Sequence, residues 1–187
     1  AETLRPAKKV PTDWCSTPNP MSLKPNRSTM AILVIGEFIF GLGDSLLIAA
    51  GVGNTPWTVL AEGIADTTEV WTIGEATFLV SVAVMFLWIP IKETPGIGTI
   101  LNIIIIALTI HVMVPILPQP ENPLVSILMA SLGILLVGIG STMYLTANLG
   151  PGPRDGWMTG LQRATGVPIG RVRITIEASV LVIGIVL

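Results

Sequence analysis

The sequence predicts an all-α fold, a polytopic transmembrane helical bundle. Five spans are present, as an inverted repeat of a three-span unit whose sixth span is missing. Three observations predict it. The 187 residues are 51% hydrophobic and only 12% charged, with a mean hydropathy of +0.76, whereas soluble domains carry about 25% charged residues. Five apolar runs are long enough to cross a bilayer, which takes roughly 20 residues. The second half of the chain overlays the first at a spacing of 97 positions.

The same composition excludes other classes. A net charge of −2 and a pI near 5.3 argue against nucleic-acid binding. One Cys, Cys15, and one His build neither an internal disulfide nor a Cys/His metal cluster. No metal, cofactor or nucleic acid is expected, and the lipid bilayer is the expected surrounding.

Residues 1–29 read as a Pro-rich basic tail with little fold of its own, carrying Arg5, Lys8, Lys9, Lys24 and Arg27. It is no signal peptide, because no apolar stretch follows the first basic residues until Met30. Ala1 points to a removed initiator or an incomplete start, with Met21 and Met30 as other possible starts.

The transmembrane domain covers residues 30–187. Span 1 is read at 30–52, span 2 at 71–90, span 3 at 98–117, span 4 at 124–147 and span 5 at 170–187. Helices follow because a lipid-facing backbone must satisfy its own hydrogen bonds. Trp71 and Trp88 bracket span 2, and 17 residues of helix separate them by roughly 26 Å, the spacing of two aromatic belts.

Five spans place the tail and loops 91–97 and 148–169 on one side, and loops 53–70 and 118–123 on the other. All ten Lys and Arg fall on or just inside the first side. The second holds Glu62, Asp66, Glu69 and Glu121. Such asymmetry predicts a cytoplasmic N-terminus.

At the spacing of 97, Gly41-Leu42-Gly43 falls on Gly138-Ile139-Gly140. Ala50-Gly51-Val52-Gly53 falls on Ala147-Asn148-Leu149-Gly150, and Pro56 on Pro153. Repeat 1 covers about 30–117 and partial repeat 2 about 124–187. Three spans per unit turn the second copy over, the inverted plan of many transporters. A sixth span is expected after Leu187.

The loop motifs Gly53, Pro56, Trp57 and Gly150, Pro153, Arg154, Asp155 stop a helix and restart it. Thr55 is placed to cap the first short helix, and Pro suits a first helical turn. The two short helices lie flat as gaskets, with Trp57 and Trp157 as interface anchors, or dip into the membrane and turn their N-termini toward an anionic group.

The stretches Gly41-Leu42-Gly43, Ala49-Ala50-Gly51-Val52-Gly53-Asn54-Thr55-Pro56-Trp57, Gly98-Thr99-Ile100-Leu101-Asn102 and Gly150-Pro151-Gly152-Pro153-Arg154-Asp155-Gly156 resemble the YczE/YitT-type bacterial membrane proteins. The resemblance covers roughly residues 35–187. Its most specific part is the last stretch, followed by Arg173 and Glu177. It implies a multispan inner-membrane protein of the kind linked to transport or export, without an assigned substrate.

Ionisable groups at bilayer depth are costly and are functional candidates. Glu37 and Asp44, seven apart on span 1, lie within about 20° of one line on the helix. They are candidate cation or proton relay groups, with satisfaction by neighbouring polar side chains as the other reading. Asn102 and His111 on span 3 point to opposite sides. His111 suits proton shuttling or helix-packing hydrogen bonds. Arg173 and Glu177, four apart on span 5, can pair. Glu75 reads as interfacial. Gly41-Leu42-Gly43-Asp44 matches the GxGD of intramembrane aspartyl proteases, but that chemistry needs a second aspartate at the same depth. Asp13, Asp66 and Asp155 all fall in tail or loops.

No catalytic constellation follows, so an enzyme is not expected. The leading reading is a secondary transporter or exporter of a small solute, proton-coupled through Glu37 and Asp44. The rival is a non-catalytic accessory or assembly subunit of a larger membrane complex. A homodimer or a larger complex is the expected assembly.

Overall fold

The computed structural model describes residues 25–68 and 70–187. The tail through Lys24, with Cys15 and most of its basic residues, and Glu69 of the acidic loop lie outside the described residues. The described residues are helical: α1 (Arg27–Ala50), α2 (Pro56–Thr68), α3 (Ile73–Phe86), α4 (Trp88–Ile91), α5 (Ile97–Met113), α6 (Pro123–Thr146), α7 (Pro153–Thr165) and α8 (Ile169–Val186). The predicted apolar runs thus fall on helices, with ends displaced by a few residues.

By length and composition, three stretches suffice to cross a membrane: Arg27–Ala50, Ile73–Ile91 and Pro123–Thr146. The predicted five shrink to three on this measure for a physical reason. Helix α5 is apolar but has 17 residues, and α8 spends Arg171, Arg173 and Glu177 within 18 residues.

Local chemistry sets the boundaries. Thr72 caps α3 by accepting from the Glu75 N–H, while the Glu75 carboxylate accepts from the Thr72 N–H at 2.8 Å, a reciprocal capping box. Glu75 is therefore a helix-start residue at an exposed end. The Asn122 side chain accepts from Leu124 N–H ahead of Pro123, the first residue of α6. The Thr55 hydroxyl accepts from the Thr58 N–H at the start of α2.

The turns after α1 and α6 match residue for residue. Gly51 and Asn148 both take left-handed backbone, at φ 65° and 56°. Two residues later Gly53 and Gly150 both have positive φ, at 151° and 122°. Pro56 and Pro153 then each open a helix of 13 residues.

The core is built on close helix contacts that only small residues allow. Helices α1 and α6 run antiparallel, and their glycines interleave. A Cβ on Gly36 would stand 2.7 Å from Met143 Cβ, and one on Gly43 would stand 2.7 Å from Gly133 O. From the other side, a Cβ on Gly140 would stand 2.6 Å from Gly36 O. Gly36 and Gly133 are 97 apart, as are Gly43 and Gly140, so each glycine meets the counterpart of its neighbour.

Helix α2 packs on α3 and α8, and α7 packs on α3, α4, α5 and α8. Trp57, Val80, Val84, Met158, Val172, Ile176 and Val180 form the largest buried cluster. Trp57 is 5% exposed and stacks edge-on against Trp157, with ring centroids 6.4 Å apart. The interface-anchor reading is corrected for Trp57, which fills the core where α2 and α7 meet, with Trp157 half-buried against it. Trp88 is corrected likewise. It is 2% exposed, lies under Gly156, and donates from Nε1 to Pro153 O at 2.9 Å. Trp71, by contrast, is exposed.

Candidate functional site

The N-terminal ends of α2 and α7 converge on a cavity of about 280 Å³. Three features of the sequence deliver them there. Gly98 N–H donates to Leu149 O at 2.9 Å, and the Thr99 hydroxyl donates to Pro151 O at 2.8 Å. These bonds lay residues 149–152 along the first turns of α5. Gly152, where a Cβ would stand 3.0 Å from Asn102 Oδ1, then lets α7 start against Asn102. The Trp88 indole holds the Pro153 carbonyl.

Arg154 is the second residue of α7. Its guanidinium carbon lies 5.2 Å from the Trp57 ring centroid, within cation–π range. Trp57 and Arg154 are 97 positions apart, so the two matching turns meet at this contact. Phe40 and Val137, and Thr55 and Gly152, also line the cavity and are also separated by 97.

Polar groups cluster at one wall. The Tyr144 hydroxyl donates to Asp155 Oδ2 at 2.5 Å, and the Tyr144 ring stands edge-on to Phe40. Arg173 Nε donates to Glu177 Oε1 at 2.8 Å, the pairing expected from their spacing of four. Asn102 lines the cavity at 7% exposure, and its Nδ2 has no acceptor. Burial pushes the Arg154 guanidinium below its ordinary value, while Asp44, Asp155 and Tyr144 pull it back up. It remains a cation.

Of the sequence candidates, the structure brings Asn102, Pro56, Trp57, Arg154, Asp155, Arg173 and Glu177 together around one cavity. Gly53, Gly150 and Pro153 shape the turns that aim the helices. Glu37 and Asp44 lie behind the wall, at 0% and 1% exposure, and are not lining residues. They share one buried face of α1 as predicted, with Gly41 between them against Thr109 of α5. All four of their carboxylate oxygens lack a hydrogen-bond partner. The expectation that neighbouring polar side chains satisfy them fails among the described residues.

His111 does not line this cavity. Its Nδ1 is 2.9 Å from the Thr72 hydroxyl, at the exposed end of α3.

Tyr144, Ser81 and Ser141 line the cavity and were not singled out from the sequence. Tyr144 carried a signal: it is the only Tyr, on a helix without charged residues, 11 positions before Asp155.

Among the described residues no group of three or more His, Cys, Asp or Glu is arranged to hold a metal ion.

A family described as a family of unknown function (DUF6198) matches residues 27–187. An uncharacterized protein of Haemophilus influenzae is 44% identical over 159 residues, covering 85% of this chain and 72% of that one. The uncharacterized membrane protein YczE of Bacillus subtilis is 32% identical over 151 residues, covering 78% of this chain and 68% of its own. No solved structure matches.

Proposed function

The chain belongs to the family of unknown function DUF6198 and is related to the membrane protein YczE, and from that premise we propose that it is a secondary transporter or exporter of a small solute, proton-coupled through Glu37 and Asp44. It acts as a carrier and not as an enzyme. In this reading it lies in the bacterial inner membrane with its N-terminus in the cytoplasm. The spans are α1, α3 with α4, α5, α6 and α8. Helices α2 and α7 are re-entrant, and the two halves are inverted copies.

The observation that carries the reading is the contact of Trp57 with Arg154 at the cavity. Two counterpart residues touch each other only beside an axis that relates their halves, as in any two-fold arrangement. Transporters built from inverted repeats hold their solute at such an axis, between broken helices. The matching turns, the interleaved glycines of α1 and α6, and the start of α7 beside Asn102 support the same arrangement.

The rival, an accessory subunit, draws support from α6, whose apolar outer face includes Leu128, Ile134 and Leu135 at about 60% exposure. That face equally suits lipid.

Access to the cavity separates the two. In a Cys15→Ala background, Ser141→Cys places one thiol on the cavity wall. Impermeant thiol reagent added to right-side-out and inside-out vesicles should label it from both faces. Labelling from neither face, or from one under all conditions, would remove the carrier reading.

A further inference from the structure

We propose that the cavity takes a small monocarboxylate with a short apolar tail, bound by Arg154 and Asn102 at the start of α7. The inference rests on the reading of this cavity as the solute path and names the class of solute.

Three observations carry it. First, donor capacity is unspent at one spot. Among the described residues the Arg154 guanidinium has no carboxylate within ion-pairing distance; the ion pairs there are Arg163 with Glu93 and Arg173 with Glu177. Asn102 is buried, lines the same wall and leaves its Nδ2 without an acceptor. The first turn of α7, opened by a glycine and a proline, has no side-chain cap. Its leading N–H groups and its dipole favour an anion. The indole of Trp57 holds one face of the guanidinium, leaving its edge for planar, two-pronged recognition, which suits a carboxylate.

Second, one oxygen of each nearby carboxylate is occupied. Asp155 Oδ2 takes the Tyr144 hydroxyl, and Glu177 Oε1 takes Arg173. Two carboxylates, Asp44 and Asp155, already act on Arg154, so a second negative charge on the ligand would be repelled. A monoanion is accommodated where a dianion is not.

Third, part of the lining is apolar. Phe40, Ile106, Val137 and Met158 face the space. The volume, about 280 Å³, falls just below the range of drug-sized pockets, about 300–1,000 Å³. A chain of a few carbons fits such a space.

The test uses the full chain in nanodiscs, with butyrate, inorganic phosphate and choline as probes. The readouts are protection of the Ser141→Cys thiol and the melting temperature. Butyrate should slow labelling and raise the melting temperature, phosphate and choline should do neither. Arg154→Gln should weaken butyrate about tenfold or more, and Arg154→Lys should recover only part of it. Should Arg154→Gln fail to fold, Asn102→Asp keeps the shape, sets a carboxylate at the same spot and should also abolish protection. Protection by choline or phosphate but not by butyrate, or undiminished butyrate binding in a folded Arg154→Gln or Asn102→Asp protein, would overturn the assignment. The two levels fail separately. A thiol reachable from both faces that butyrate does not protect removes only the carboxylate, and a thiol reachable from neither face removes the path itself.

Discussion

Glu37→Gln and Asp44→Asn are expected to leave the fold intact, hold or raise its melting temperature, and erase the pH dependence of cavity opening. The argument starts from the four carboxylate oxygens without partners. An ionised carboxylate held in protein without a partner costs several kcal/mol, and α1 carries two unpartnered carboxyl groups one above the other. The isosteric amides keep the volume and remove the charge. Tyr144 of α6 lies within electrostatic reach of Glu37 and Arg154 of α7 within reach of Asp44, while Thr109 of α5 stands against Gly41 between the two carboxyls. Arg154 connects them to the cavity, since Asp44 acts on it. The measurement is the labelling rate of Ser141→Cys from each face at pH values on either side of neutrality. The native pair should change it by about 5- to 150-fold, the span of ordinary coupling free energies. The amide variants should hold it constant. A native-like pH response in both variants would remove these residues from the mechanism, and a large loss of melting temperature would make them structural.

The second large effect is on assembly of the bundle. Gly43→Val or Gly140→Val should cost about 1–3 kcal/mol each through overpacking. The obstacle in both cases is backbone, Gly133 O for the first and Gly36 O for the second, and no rotamer relieves it. Gly138→Val on the same helix is the control, because nothing lies within 4 Å of a Cβ there. Melting in detergent should drop by several degrees for the first two, at about 2–4 °C per kcal/mol for a chain of this size. Gly138→Val should melt like the parent. Equal behaviour of Gly138→Val and Gly140→Val would mean that α1 and α6 do not approach as described.

Much of this was legible in the sequence. Apolar runs near 20 residues announced the helices, because the bilayer imposes that length. The spacing of 97 announced the matching turns, because glycines and prolines mark backbone that few other residues adopt. Glu37 with Asp44, and Arg173 with Glu177, were legible because helical spacing alone sets their faces. Helix rotation was not legible. Trp57 and Trp88 carry the composition of interface anchors, yet both are buried, because α7 crosses one and covers the other. His111 and Asn102 could be placed on opposite faces of α5, but which face meets the cavity is decided by α7 docking beside Gly98 and Thr99. The Tyr144–Asp155 hydrogen bond joins two segments whose approach depends on the turn between them.

The arrangement of the two halves is tested most directly by the sidedness of their matching loops. Asp66→Cys and Ala164→Cys, each in the Cys15→Ala background, sit on exposed residues near the ends of α2 and α7. An impermeant thiol reagent should label Asp66→Cys only from the periplasmic face and Ala164→Cys only from the cytoplasmic face. Labelling of both from the same face would contradict the inverted halves and the solute path built on them.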